Sequence, residues 1–165
     1  MKDKSVRLDD LERLYRERYP YFVQVARAVV GNEASANDAV QDGFAQAIRK
    51  RESFRGDGPL EAWVWRAVLN AALTARRRNG ASGPFELAPE PTTSDLLDEN
   101  DGIRAGIAAL PERQRLAIFL RYYADLDYRE IAIALGVRVG TVSATLGAAR
   151  TSLRLSISTP EEVSR

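Results

Sequence analysis

The chain has 165 residues, 45% of them hydrophobic, with no cysteine, no histidine and a formal net charge of +1. That is apolar material enough for one domain or two small ones, while disulfides, thiolate metal sites and histidine acid/base chemistry are excluded. No run of about 18 apolar residues occurs and the opening "MKDKSVRLDDLERL" is charged throughout, so a cytoplasmic protein with no membrane insertion, no metal, no cofactor and no active site is expected.

The small net charge hides a division along the chain. Residues 1–78 hold 15 basic and 11 acidic side chains, residues 79–102 hold none and 6, and residues 103–165 hold 9 and 6. Two basic lobes therefore flank an acidic connector. The connector, "NGASGPFELAPEPTTSDLLDENDG", is rich in Gly, Pro, Ser and Asp without apolar periodicity, which predicts a flexible linker with one helical turn near 94–100. The fold class expected is all-α, with two small helical domains at 1–78 and 102–155, a linker at 79–101 and a tail at 156–165.

The first lobe opens with Leu8, Leu11, Leu14 and Tyr15 on one helical face, meets Pro20 as a start or kink, and resumes through Phe22, Val25, Ala26 and Val29 to Gly31. The next helix takes Ser35 or Asn37 as its N-cap and buries Val40, Phe44, Ala47 and Ile48. That spacing turns Asp38, Gln41 and Asp42 outward. After the loop "RESFRGDG", Pro59 sits at an N1 position and Leu60, Trp63, Val64, Ala67, Val68 and Ala71 form an apolar stripe. Trp63 is read as a core aromatic. Trp65, roughly 160° around the helix from Trp63, either packs on a neighbouring helix or offers a stacking platform to an unpaired base. Arg76, Arg77 and Arg78 close the helix, where cations suit both the dipole and phosphate.

The second lobe gives a helix ending at Leu110, a break at Pro111 in an N1 position, and a helix burying Leu116, Phe119 or Leu120, and Tyr123. Asp127 and Glu130 form a capping-box variant that opens a short helix carrying Ile131, Ala134 and Leu135, and Gly136 stands where a left-handed turn is needed. The last helix buries Val142, Leu146, Ala149 and Leu153. A short capped helix, a glycine turn and a longer helix make a helix-turn-helix.

Taken in order, "DAVQDGF" (38–44), "SFRGD" (53–57) with "WVWRAVLN" (63–70), "LPERQR" (110–115) and "YREIAIALGVRVGTV" (128–142) resemble an extracytoplasmic-function (ECF) sigma factor of the sigma-70 family. The resemblance implies a subunit that binds core RNA polymerase, through its clamp coiled coil and flap, and directs it to promoter DNA. In such a protein Asp38, Gln41 and Asp42 would dock on the clamp. The loop with Ser53, Phe54 and Arg55, and the helix with Trp65 and Asn70, would capture a flipped base of the minus-10 element. Arg66, Arg76 and Arg77 would meet phosphates, and the acidic linker would thread the RNA path of the polymerase. Family members are often held by an anti-sigma factor, which makes one a candidate partner.

The chain departs from the family where the minus-35 element is read. "GTVSATLGAARTSLR" has Ser143, Ala144, Thr145, Gly147 and Ala148 where basic or bulky polar residues are common, and Arg138 where a small cap is usual. Modest local readout through Arg138, Thr141, Ser143, Thr145 and Arg150 is expected. Two other readings fit parts of the pattern: a sigma-like interaction protein competing for polymerase or a regulator, and a free-standing helix-turn-helix regulator.

Overall fold

A computed structural model describes residues 5–79 and 97–158. All of the regular structure among them is helical: α1 (Leu8–Val30), α2 (Glu33–Arg49), α3 (Leu60–Arg78), α4 (Leu97–Ala109), α5 (Glu112–Ile118), α6 (Tyr128–Leu135) and α7 (Val139–Ser158). A single 3₁₀ turn at Arg51–Ser53 joins α2 to the loop before α3, and a π-helical turn at Phe119–Tyr123 prolongs α5. The expected linker falls largely on residues 80–96, outside the described residues, as does most of the expected tail. The helix expected from 102 already begins at Leu97.

Helices α1 to α3 form one lobe. α1 continues through Pro20, so this residue neither starts nor ends a helix. α2 is capped by Asn32, whose side chain accepts a hydrogen bond from the Ser35 amide at 2.8 Å, and the caps expected at Ser35 or Asn37 lie inside the helix. Asn32 wins because it stands in extended backbone with its carboxamide over the free N–H groups of the first turn. Gly43, inside "DAVQDGF", allows a close crossing of α2 and α3: a Cβ there would stand 2.6 Å from the Val68 Cα of α3.

Helices α4 to α7 form the second lobe, with α4, α5 and α6 packed on α7. Asp127 accepts from the Glu130 amide at 2.8 Å while the Glu130 carboxylate accepts from the Asp127 amide at 2.6 Å, completing the capping box. Gly136 closes α6 at φ 66°, a left-handed conformation that suits a residue without Cβ. Across this turn the axes of α6 and α7 differ by 100°, within the helix-turn-helix range.

One contiguous set of buried apolar side chains runs through both lobes, from Leu11, Phe22 and Trp65 to Leu120, Ile131 and Leu146. Several residues expected on the apolar stripes are more exposed than the periodicity implies: Leu8 is exposed, Ile48 and Tyr123 are at the margin of exposure, and Leu153, like Leu14, Leu60 and Leu135, is half-buried. Leu8 and Ile48 line a surface groove between α1 and α2, whereas Tyr123 meets Tyr21 of α1 and Leu153 lies beside Gly106 of α4.

Candidate nucleic-acid interface

The two tryptophans of α3 exchange the places expected of them. Trp65 is fully buried, its ring centroid 4.1 Å from that of Phe22, and its indole N–H donates to Glu61 Oε1 at 3.3 Å. A ring so enclosed cannot stack on a base, and the strand-contacting position expected for Trp65 is corrected. Trp63 is half-buried and faces a cleft, edge-to-face with Phe54 at 5.4 Å. The neighbours on the helix explain the exchange. Ala62, Val68, Leu69 and Ala72 flank Trp65 and are all buried, whereas Arg66 and Asn70, three and seven residues beyond Trp63, are exposed.

The accessible face of α3 therefore carries Trp63, Arg66 and Asn70, with exposed Arg77 two turns further on. The loop before α3 supplies its rim. Phe54 is half-buried against Trp63, Arg55 is exposed, and the Ser53 hydroxyl is tied to the Lys50 carbonyl at 2.6 Å. Arg76 does not join this face: its Nη1 pairs with Glu112 Oε2 at 3.0 Å and its side chain is only 16% exposed. In this conformation it serves a contact between lobes rather than a phosphate.

On α2 of the same lobe, Asp38 and, one helical turn further on, Gln41 and Asp42 are all exposed. Beside them lies an apolar groove of about 390 Å³ between α1 and α2, lined by Leu8, Tyr15, Gln41, Phe44 and Ile48. Sequence periodicity missed this groove because it placed Leu8 and Ile48 in the core.

In the second lobe, the first turns of α7 carry no charge. The outer surface of α7 presents Gly140, Ser143, Ala144, Gly147 and Ala148, with Thr141 and Thr145 half-buried at its flank. Arg150 is drawn back onto the lobe, its Nε donating to the Tyr122 hydroxyl at 2.9 Å and its Nη1 to the Tyr128 hydroxyl at 3.3 Å. These bonds, that to Tyr128 first, favour the charged guanidinium and raise its pKa. Arg138 is exposed before α7, but it lines the cleft that holds Trp63 and Arg66, apart from Ser143 and Thr145. Arg115 of "LPERQR" is buried and structural, donating to the Ala108 carbonyl at 2.8 Å; desolvation, then the neighbouring Arg76, lowers its pKa.

A three-helix lobe with an aromatic and amide face, followed by a helix-turn-helix lobe, defines a two-part DNA-reading protein. The sigma-70 region 2 family matches residues 14–82 and the sigma-70 region 4 family matches residues 101–153. The ECF RNA polymerase sigma-E factor of Escherichia coli (strain K12) is 32% identical over 134 residues, covering 70% of each chain. The ECF RNA polymerase sigma factor SigM of Mycobacterium tuberculosis (strain H37Rv) is 29% identical over 145 residues, covering 86% of this chain and 74% of that one. Among solved structures, the sigma factor RpoE in complex with the anti-sigma factor NepR from Bartonella quintana matches with a TM-score of 0.72 at 23% identity, covering 96% of this chain and 100% of that one. CnrH in complex with the cytosolic domain of CnrY matches at 0.67 and 23%, covering 93% and 91%. The chain belongs to the sigma-70 family, among its ECF sigma factors, and is a promoter-recognition subunit of RNA polymerase.

Proposed function

We propose that this sigma factor concentrates promoter reading in its first lobe. Trp63, Arg66 and Asn70 form the surface that takes an unstacked base and the adjoining backbone of the minus-10 element, with Ser53, Phe54 and Arg55 as the rim of the pocket and Arg77 on a phosphate. Unstacking a base costs a few kcal/mol, which an aromatic ring and a buried amide contact can offset. The single observation that carries this reading is the succession of a half-buried aromatic at a cleft, an exposed cation and an exposed amide along one face of α3.

Asp38, Gln41 and Asp42 dock core polymerase, and the adjacent apolar groove supplies desolvated area that an acidic patch alone lacks. The second lobe contributes weak local minus-35 readout through Thr141, Ser143 and Thr145, with Arg138 joining once the lobes separate. Since RpoE is held by the anti-sigma factor NepR and CnrH by the cytosolic domain of CnrY, a protein of that class is the proposed regulator. No catalytic role is assigned, and the site of action is wherever the polymerase works.

The test is run-off transcription with core polymerase and a library of promoter fragments. Wild type should start transcripts at a shared minus-10 motif, while Asn70→Ala should lose initiation but keep polymerase, and Asp38→Ala with Gln41→Ala should bind polymerase about ten-fold more weakly. A wild-type chain that binds polymerase and never initiates would instead be a competitor for the enzyme.

A further inference from the structure

Arginines near the junction of the lobes fall into two groups. Arg18 donates to Glu61 Oε1 at 2.9 Å and to the Ala124 carbonyl at 2.6 Å, and Arg76 pairs with Glu112 at 3.0 Å. Arg55, Arg66, Arg129 and Arg138 instead line the cleft of about 640 Å³, and none of these four makes a hydrogen bond or ion pair with another described residue. Arg55 and Arg66 stand on the wall made by α3 and the loop before it, Arg129 and Arg138 on the wall made by α6 and the turn into α7. Arg66 reaches toward that turn, its guanidinium atoms 3.5 to 3.6 Å from where a Cβ on Gly136 would stand. Asp57 is the acidic residue among those lining the cleft. Four cations facing one carboxylate repel one another, and a multivalent anion among them would relieve that repulsion.

The same cleft holds an aromatic surface. Phe54 and half-buried Trp63 meet there edge-to-face at 5.4 Å. A planar base stacks on rings of this kind, while the guanidinium fork matches phosphate oxygens two at a time. Val139, the first residue of α7, also lines the cleft. Arg138 before it has no side-chain acceptor to offer the free N–H groups of that first turn, so the positive end of the helix adds to the field of the arginines. The volume falls within the range of about 300 to 1,000 Å³ usual for small-ligand sites.

We infer that the cleft is a binding site for a nucleoside polyphosphate, with the base against Phe54 and Trp63 and the phosphates between the two pairs of arginines. A ligand that engages both walls must carry its charge on more than one phosphate. The site requires no part of the promoter: Asn70 does not line the cleft. Base and phosphates together could also come from a single strand of nucleic acid, and the two sources separate by experiment.

The probe is guanosine triphosphate, titrated into the free full-length chain and followed by calorimetry and by tryptophan emission. The chain has two tryptophans, and Trp65 is enclosed, so a bound base should change the emission of Trp63. Trp63→Phe should keep the binding heat and lose the emission change. Arg66→Gln with Arg129→Gln should weaken binding about ten-fold with no shift in melting midpoint, both side chains being exposed. Inorganic triphosphate, which has the charge without the base, should bind about ten-fold more weakly than the nucleotide and leave the emission unchanged. A pentadeoxynucleotide with a free 5′ hydroxyl should also bind more weakly than the nucleotide.

No saturable binding of guanosine triphosphate, equal binding by inorganic triphosphate, or undiminished binding by the double arginine variant overturns the site. Tighter binding of the pentadeoxynucleotide overturns it too, and gives these arginines to the path of a strand. Asn70→Ala separates the site from promoter reading: it should bind the nucleotide as wild type does, whatever it does to initiation, and loss of nucleotide binding in that variant would overturn the placement in the cleft.

Discussion

Helices α3 and α7 are nearly equal in length, 19 and 20 residues, and each is the longest helix of its lobe among the described residues save α1. Their surfaces differ. α3 buries Val64, Trp65, Val68 and Leu69 and displays Arg66, Asn70 and Arg77 beside half-buried Trp63, while α7 buries Val142, Leu146 and Ala149 and displays glycine, alanine and serine, with Arg154, Leu155 and Ile157 exposed only toward its end. The helix-turn-helix keeps its capping box, its left-handed Gly136 and its 100° turn, although the helix it presents has few groups that can grip a phosphate. Geometry and recognition are separable: the motif is maintained by local backbone chemistry and by three buried side chains, none of which needs to touch DNA.

The sharpest way to break the contrast is within α3 itself. Trp65→Ala should lower stability by about 3 to 5 kcal/mol, because it empties a fully enclosed site beside Phe22 and removes the indole bond to Glu61. Trp63→Ala should cost about 1 kcal/mol yet abolish minus-10 complex formation; denaturant unfolding and fork-junction binding, measured side by side, check both. Equal stability losses would remove the distinction between the two rings.

A smaller effect is expected at the docking surface. Asp38→Ala with Gln41→Ala should weaken core polymerase binding about ten-fold, or about 1.4 kcal/mol, with no shift in melting midpoint, since both side chains are exposed. A melting shift would mean that the pair supports the fold.

In α7, a Cβ on Gly147 meets nothing within 4 Å. Gly147→Ala should therefore stabilise the chain by about 0.8 to 1 kcal/mol without weakening promoter use, and a loss of transcription would show that DNA approaches that backbone. The smallest expected change is at Ser143→Arg. If α7 lies along DNA in the open complex, one added phosphate contact should steepen the salt dependence of promoter binding by about 0.9; an unchanged slope would place α7 away from the backbone.

Much of this protein was legible one residue at a time. Apolar spacing located the helices, and the Asp127–Glu130 box and Gly136 fixed the turn, because a cap or a left-handed glycine acts over three or four residues. The outward Asp38, Gln41 and Asp42 followed from the same arithmetic. The two tryptophans were misassigned although a signal was present: Ala62, Leu69 and Ala72 share the face of Trp65, and Arg66 and Asn70 share that of Trp63. Periodicity was read as one stripe through Trp63, although a second through Trp65 overlaps it, and the choice between them depended on where α1 and α2 pack.

Sequence by itself determined the helical class, the two basic lobes, the helix-turn-helix and the charge-poor surface of its last helix, all of which depend on neighbours within a few turns. Only the tertiary structure decided which tryptophan is buried, that Arg76 is held by Glu112, that Arg150 is drawn to Tyr122, and that Arg18 reaches Ala124. Those partners lie 36, 28 and 106 residues apart for the three arginines, and no local pattern encodes them. They exist because burying one shared core brings the lobes together, and a partly desolvated cation must then find an acceptor.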